Sequence, residues 1–312
     1  MAAVKWVWIA IAVGATLAPR TGAAQFGVWR ADSLLAAGRL DDAESAYYAA
    51  SRARPRDPVV RAALGRFLAA RGAPRVGAVL LEEARRFGGD SARLATALVP
   101  MYMRSADYAA LVALRPDVLT EAERRRVRFL RDNAPQARLR DSIAMVTYRP
   151  GADGDGFGTV MVRVGRAELP AKIDPRVSGI LLPAANRGDV RDFGADGERR
   201  LGVVRSLRIG GTVFSNVPAT VGHPDEAVRI GFDVLAPYAP TFDPAAGLIT
   251  LRRVSRRDPV PQGARHPALF DANGMRVLLG SAWYQSGSSA AAMLLATRRW
   301  MWDTRRGDIV LR

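Results

Sequence analysis

Val162-Arg163-Val164-Gly165-Arg166, followed by Glu168-Leu169-Pro170-Ala171-Lys172-Ile173-Asp174, decides how the second half of this chain folds. Two short β-rich runs flank a glycine where a tight turn belongs. The same grammar extends outward on both sides. Ser142 to Tyr148, Thr159 to Val164, Glu168 to Ile173, Val203 to Ile209 and Thr212 to Val221 are β-rich runs separated by Gly, Pro and Asp clusters, with Gly210-Gly211 placed for a hairpin turn. Everything from residue 141 onward therefore reads as all-β. The stretch Gly151-Ala152-Asp153-Gly154-Asp155-Gly156-Phe157-Gly158 lacks the Lys-Ser/Thr ending of a phosphate cradle and the Glu of a calcium loop, so it reads as a hairpin tip.

Upstream the period changes to that of helices. Thr120-Glu121-Ala122-Glu123 is a capping box opening a helix that runs to about Asn133 and stops before Pro135. Its cations, Arg124-Arg125-Arg126 with Arg128 and Arg131, are expected on a solvated face, while Val127, Leu130 and Phe129 cap the preceding helices. A domain boundary falls between Pro135 and Ser142. Earlier still, Gly38, Leu40, Ala43, Tyr47, Ala50 and Pro55 are answered one period of 34 residues later by Gly72, Pro74, Gly77, Leu81, Ala84 and Gly89. Leu64-Gly65 completes the second unit, and Tyr102, Tyr108 and Leu111 mark an eroded third. Over residues 25–118 this resembles the tetratricopeptide repeat: small residues stand where paired helices cross, large ones fill the gaps, and Gly or Pro makes the turns. Before the repeats, Lys5, the apolar run Trp6 to Leu17 and the small residues Gly22-Ala23-Ala24 read as a signal peptide cleaved near Ala24.

Composition excludes much of the remaining chemistry. The 312 residues hold no cysteine and two histidines, His223 and His266, each followed by proline. Disulfide scaffolds, thiolate zinc sites, cysteine nucleophiles and three-histidine metal sites are thereby excluded, and neither cofactor nor metal is expected. The formal net charge of +16 arises from 46 cations, of which all but Lys5 and Lys172 are arginine, against 30 acids. That charge is spread along the chain without interleaved stacking aromatics, so nucleic acid is not the expected partner. No segment after the leader is long and apolar enough to span a membrane.

The hairpin ending in Asp174 resembles the one that delivers the catalytic aspartate in retropepsin-like aspartic proteases. Ser206-Leu207-Arg208-Ile209-Gly210-Gly211 with Val217-Pro218-Ala219 is similar to the family's central hairpin. Ile230-Gly231-Phe232-Asp233-Val234-Leu235 is similar to its apolar-Gly-x-Asp-x-Leu segment, and Phe242-Asp243 through Gly247 to Leu251 completes the lobe. The resemblance implies an acid-protease fold over residues 141–253, Asp174 in the catalytic position, and a second carboxylate from a homodimer or a second lobe. It also implies Asp-Thr/Ser-Gly after the strand, and this chain has Asp174-Pro175-Arg176. Pro175 removes a hydroxyl and an N–H, and Arg176 favours the ionised carboxylate, whereas the family's chemistry needs two aspartates sharing one proton.

Residues 254–312 form a β extension in which Leu278-Leu279-Gly280 and Trp302-Asp303 through Gly307 to Leu311 echo Val228 to Leu251. A partial second lobe is one reading of it; two ordinary hairpins sharing turn chemistry is the other, and Asp271-Ala272-Asn273-Gly274 reads as a turn. Trp283, Tyr284, Trp300 and Trp302 are expected in core and sheet packing. The chain is thus expected to be multi-domain: signal peptide 1–24, helical repeats 25–118, capping helix and linker 119–140, then the two β segments. Its expected role is that of an exported, periplasmic or secreted peptide- or protein-binding protein with hydrolysis lost or much reduced. An active aspartic endopeptidase using Asp174 and an envelope scaffold acting through the helices are the alternatives.

Overall fold

The computed structural model describes residues 25–115, 117–139, 143–151, 157–222, 227–253, 262–271, 274–285, 288–303, 306 and 308–312. The expected signal peptide at 1–24, the expected hairpin tip at 152–156, His223 and residues 272–273 of the expected turn lie outside them.

Three helix pairs come first: α1 (25–36) with α2 (Leu40–Ala53), α3 (Pro58–Ala70) with α4 (Pro74–Arg86), and α5 (Ser91–Arg104) with α6 (Tyr108–Val112). The second helix of each pair begins 34 residues after the previous one. The turns inside the pairs keep the same spacing, because Gly38, Gly72 and Ala106 all take positive φ, at 73°, 89° and 53°. Only the third has lost its glycine, and its second helix is one short turn long. Local chemistry sets the starts. Asp57, Asp90 and Asp107 each accept backbone N–H groups at an N-cap, and Pro58 and Pro74 occupy first-turn positions where no donor is lost. Gly65 of α3 and Gly77 of α4 meet backbone to backbone, where a Cβ on Gly65 would lie 2.9 Å from the Gly77 carbonyl oxygen. α7 (Glu121–Asp132) carries the full Thr120/Glu123 capping box and buries Val127 and Leu130.

The linker is not irregular: β1 (Gln136–Arg138) pairs with β8 (Thr212–Gly222). Then follow β2 (Ile143–Arg149), β3 (Thr159–Val164), β4 (Ala167–Asp174), β5 (Ile180–Pro183), β6 (Val190–Asp196), β7 (Arg199–Ile209) and, after β8, β9 (Arg229–Gly231) leading into the single turn α8 (Phe232–Leu235). β3, β4, β9, β5, β8 and β7 each pair with the next and β7 pairs back to β3, so six strands close into a barrel around Val162, Ile173, Ile180, Leu207 and Ile230. Closure removes the sheet edges that would otherwise be exposed.

Outside the barrel lies β10 (Thr241–Asp243) with β11 (Leu248–Arg252), and after it β12 (Ala264–Asp271), β13 (Gly274–Leu279), β14 (Ala282–Gln285), α9 (Ser289–Thr297), β15 (Trp300–Asp303) and β16 (Asp308–Leu311). The pairings in the two halves repeat. β2–β3, β3–β4, β2–β11 and β10–β11 are matched by β12–β13, β13–β14, β12–β16 and β15–β16, all antiparallel. The halves join where β10 pairs with β15, Phe242 opposite Trp300, their rings stacked at 3.9 Å. Among the described residues the C-terminal half has no counterpart of the barrel's long hairpin, and α9 is a helix in what reads as β sequence.

The helices are bolted to the β region at several points. Val203 of β7 packs with Val127 and Leu130 of α7, and Leu278 of β13 packs with Leu64 and Phe67 of α3. Arg71, in the α3–α4 turn, donates to Asp308 Oδ1 at 2.9 Å and to the carbonyls of Ala268 and Arg306.

Candidate functional site

Asp174 ends β4 and is only 6% exposed. β4 runs parallel to β9 in the register Lys172 to Arg229, Ile173 to Ile230 and Asp174 to Gly231. That register sets the Arg229 guanidinium beside the Asp174 carboxylate, and Nη1 donates to Oδ2 at 2.8 Å. From the loop beyond, Arg176 donates three more bonds, its backbone N–H and Nε to Oδ1 and its Nη2 to Oδ2, each at 2.9 Å. Burial pushes the carboxyl up, but the bonds from Arg176 and Arg229 outweigh it and hold the pKa at about 2. Asp174 is therefore an anion at every pH at which proteins ordinarily work. Gly274, which opens β13, lies against the stem of Arg176, where an added Cβ would come within 2.8 Å of Cγ.

A second carboxylate stands nearby on α8. Asp233 accepts from Ser178 Oγ at 2.8 Å and from the Gly179 N–H at 3.1 Å, while Gly231 N–H donates to the Gly179 carbonyl. These bonds fold the loop after Asp174 back onto β9 and α8. Burial pushes the Asp233 carboxyl up; Ser178, Gly179 and the charge of Arg104 oppose it. Asp233 shares no hydrogen bond with Asp174, whose carboxylate accepts, among the described residues, from Arg176 and Arg229.

The loop Pro175–Ser178 forms part of the wall of a cavity of about 630 Å³ between the helices and the β region. Its other walls come from Met103 and Arg104 of α5, Arg126 of α7, Phe232 and Asp233 of α8, Phe270 of β12 and Trp302 of β15. This volume is that of a small-ligand or side-chain site. Trp302 is 4% exposed and in ring contact with Phe270 at 4.1 Å, so it serves both core and wall. Arg126 corrects an expectation: it leaves the solvated face of α7 and donates inward to the Ala219 carbonyl.

The structure ends β4 at Asp174 and sets the Ile230–Leu235 segment, with Asp233, against the loop after it, as the hairpin reading expects; Arg229 as a partner of Asp174 was not foreseen. Alternation puts Arg229 and Gly231 on one face of a strand, but the parallel pairing of β9 with β4 that turns that face to Asp174 is not a local feature. His266 lies in β12, with Nδ1 3.3 Å from the Leu278 carbonyl oxygen and no part in the Asp174 cluster. Among the described residues no three His, Asp or Glu side chains gather as a metal site, and no helix is long and apolar enough to cross a membrane.

No family model and no curated protein matches the chain. Among solved structures it is similar to a retropepsin-like aspartic protease from Rickettsia conorii, at 17% identity and a TM-score of 0.28, over 38% of this chain and 95% of that one. A likeness that weak carries no argument.

Proposed function

We propose that this is an exported peptide- or protein-binding protein whose helices resemble tetratricopeptide repeats and whose β region keeps an aspartic-protease-like frame without hydrolysis. The observation that carries the reading is the caging of Asp174. A carboxylate that accepts four bonds from arginine groups and titrates near 2 cannot hold the proton that a dyad must share. The repeated strand pairing supports reading residues 262–312 as a reduced second lobe. The edge of β10 is covered by β15 of the same chain, which favours completion of the frame within one chain over a homodimer. Export rests on the leader sequence, and binding on the cavity and the retained frame.

The test is digestion of a mixed peptide pool from pH 3 to 8 by the protein and by Asp174→Ala, with peptide retention measured in parallel. Retention without cleavage by either form is the expected result. Robust cleavage that disappears in Asp174→Ala would overturn the reading in favour of an active endopeptidase.

A further inference from the structure

The cavity beside Asp174 is cationic on an apolar floor, and its charges are incompletely matched. Arg104, Arg126 and Arg176 stand on its wall with one carboxylate, Asp233. Arg176 is committed to Asp174. Arg104 lies over the Phe270 ring, 5.6 Å from its centroid, and feels Asp233 at a distance without an ion-pair contact. Arg126 spends one N–H on the Ala219 carbonyl, and its Nε–H is buried with no acceptor. Guanidinium groups on the wall of a cavity favour an anion within it and can meet it with charge-assisted hydrogen bonds. Below these groups the wall is Phe232, Phe270, Trp302, Leu181 and Met103.

Resting on the peptide-binding reading, we infer that this cavity takes the C-terminal carboxylate of a peptide with an apolar last side chain, the carboxylate meeting Arg104 and Arg126 and the side chain lying on the aromatic floor. Guanidinium groups suit a planar carboxylate, and the rings suit the apolar group one residue back. Asp233 faces the same space but is already held by Ser178 and Gly179, leaving the cations in excess.

The experiment uses an N-acetylated hexapeptide pool ending in Phe, Leu or Trp, made once with free C-terminal carboxylates and once as C-terminal amides, with 3-phenylpropanoate as a small-acid competitor. Retention is measured on the purified protein and on Arg104→Met, whose folding is checked by circular dichroism. The acids should be held roughly tenfold more tightly than the amides, and Arg104→Met should lose that preference while keeping residual apolar binding. Equal retention of acids and amides would overturn the carboxylate inference and leave peptide binding intact. Retention of neither would overturn both. Competition by 3-phenylpropanoate at the peptides' own concentration would assign the site to small acids and overturn the peptide inference.

Discussion

Replacing Asp174 by Asn should turn the protein's acid sensitivity into a measurement of the arginine cage. In the folded chain the carboxyl titrates at about 2 against an ordinary 3.8. At about 1.4 kcal/mol per pKa unit, a displacement of that size corresponds to roughly 2.4 kcal/mol. Asp174 itself is buried, but the Arg176 and Arg229 side chains are 59% and 38% exposed, so water screens the pair and about 1 to 2 kcal/mol is the expected yield. The sign follows from a folded pKa lying below the unfolded one. The contribution is complete above about pH 5, falls away as pH drops from about 4 to 2, and is gone where the carboxylate is protonated in both states. Asp174→Asn should therefore unfold more easily than the parent at pH 6 by about 1 to 2 kcal/mol, and most of the gap should be gone by pH 2. Urea titrations at fixed ionic strength, followed by the fluorescence of Trp283, Trp300 and Trp302, would read it. A gap that stays constant from pH 6 to 2, or no gap at pH 6, would refute the assignment of Asp174 as a caged structural anion.

Three further outcomes are expected. Ala106→Gly relieves a Cβ held at φ 53° and should raise the thermal stability of the helical region by about 0.5 to 1 kcal/mol, read by circular dichroism. Arg71→Met removes the contacts to Asp308 and to the carbonyls of Ala268 and Arg306; it should cost about 3 kcal/mol and speed hydrogen exchange in α3 and β16 together, whereas unchanged exchange would show that Arg71 does not hold the helices to the β region. Intact-mass analysis of protein from the native host should find the chain beginning near Gln25, and a cytoplasmic species beginning at Met1 would remove export from the proposal.

Features encoded within a few residues were legible in the sequence. The capping box at Thr120 and Glu123, the turn glycines Gly38 and Gly72, and the hairpin at Gly165 each act over one turn of chain, and the structure has them where the spacing puts them. Features that depend on distant register were not. Arg229 meets Asp174 only because β9 lies parallel to β4, and nothing local announces a parallel pair 55 residues apart. Arg126 belongs to a run that looks solvated until β8 arrives to offer the Ala219 carbonyl. In the C-terminal half, Ser289–Thr297 is rich in Ala, Leu and Met, good helix formers, yet its neighbours read as strand and masked it. The echo between the hairpins was visible as composition; its meaning appears only when β10 and β15 lie side by side.

That junction also fixes the order in which the chain can become a protein. β10 finds its outer neighbour in β15, some 60 residues later, and the α3–α4 turn finds Asp308 across 237 positions. Contacts of such separation form late and slowly, because loop closure must be met before they contribute. A chain broken off after β11 would keep its barrel but present Phe242 and the bare edge of β10 to any passing strand. The β15–β16 hairpin is thus the latch between the two halves, and a chain in which it has not yet formed stays unlatched.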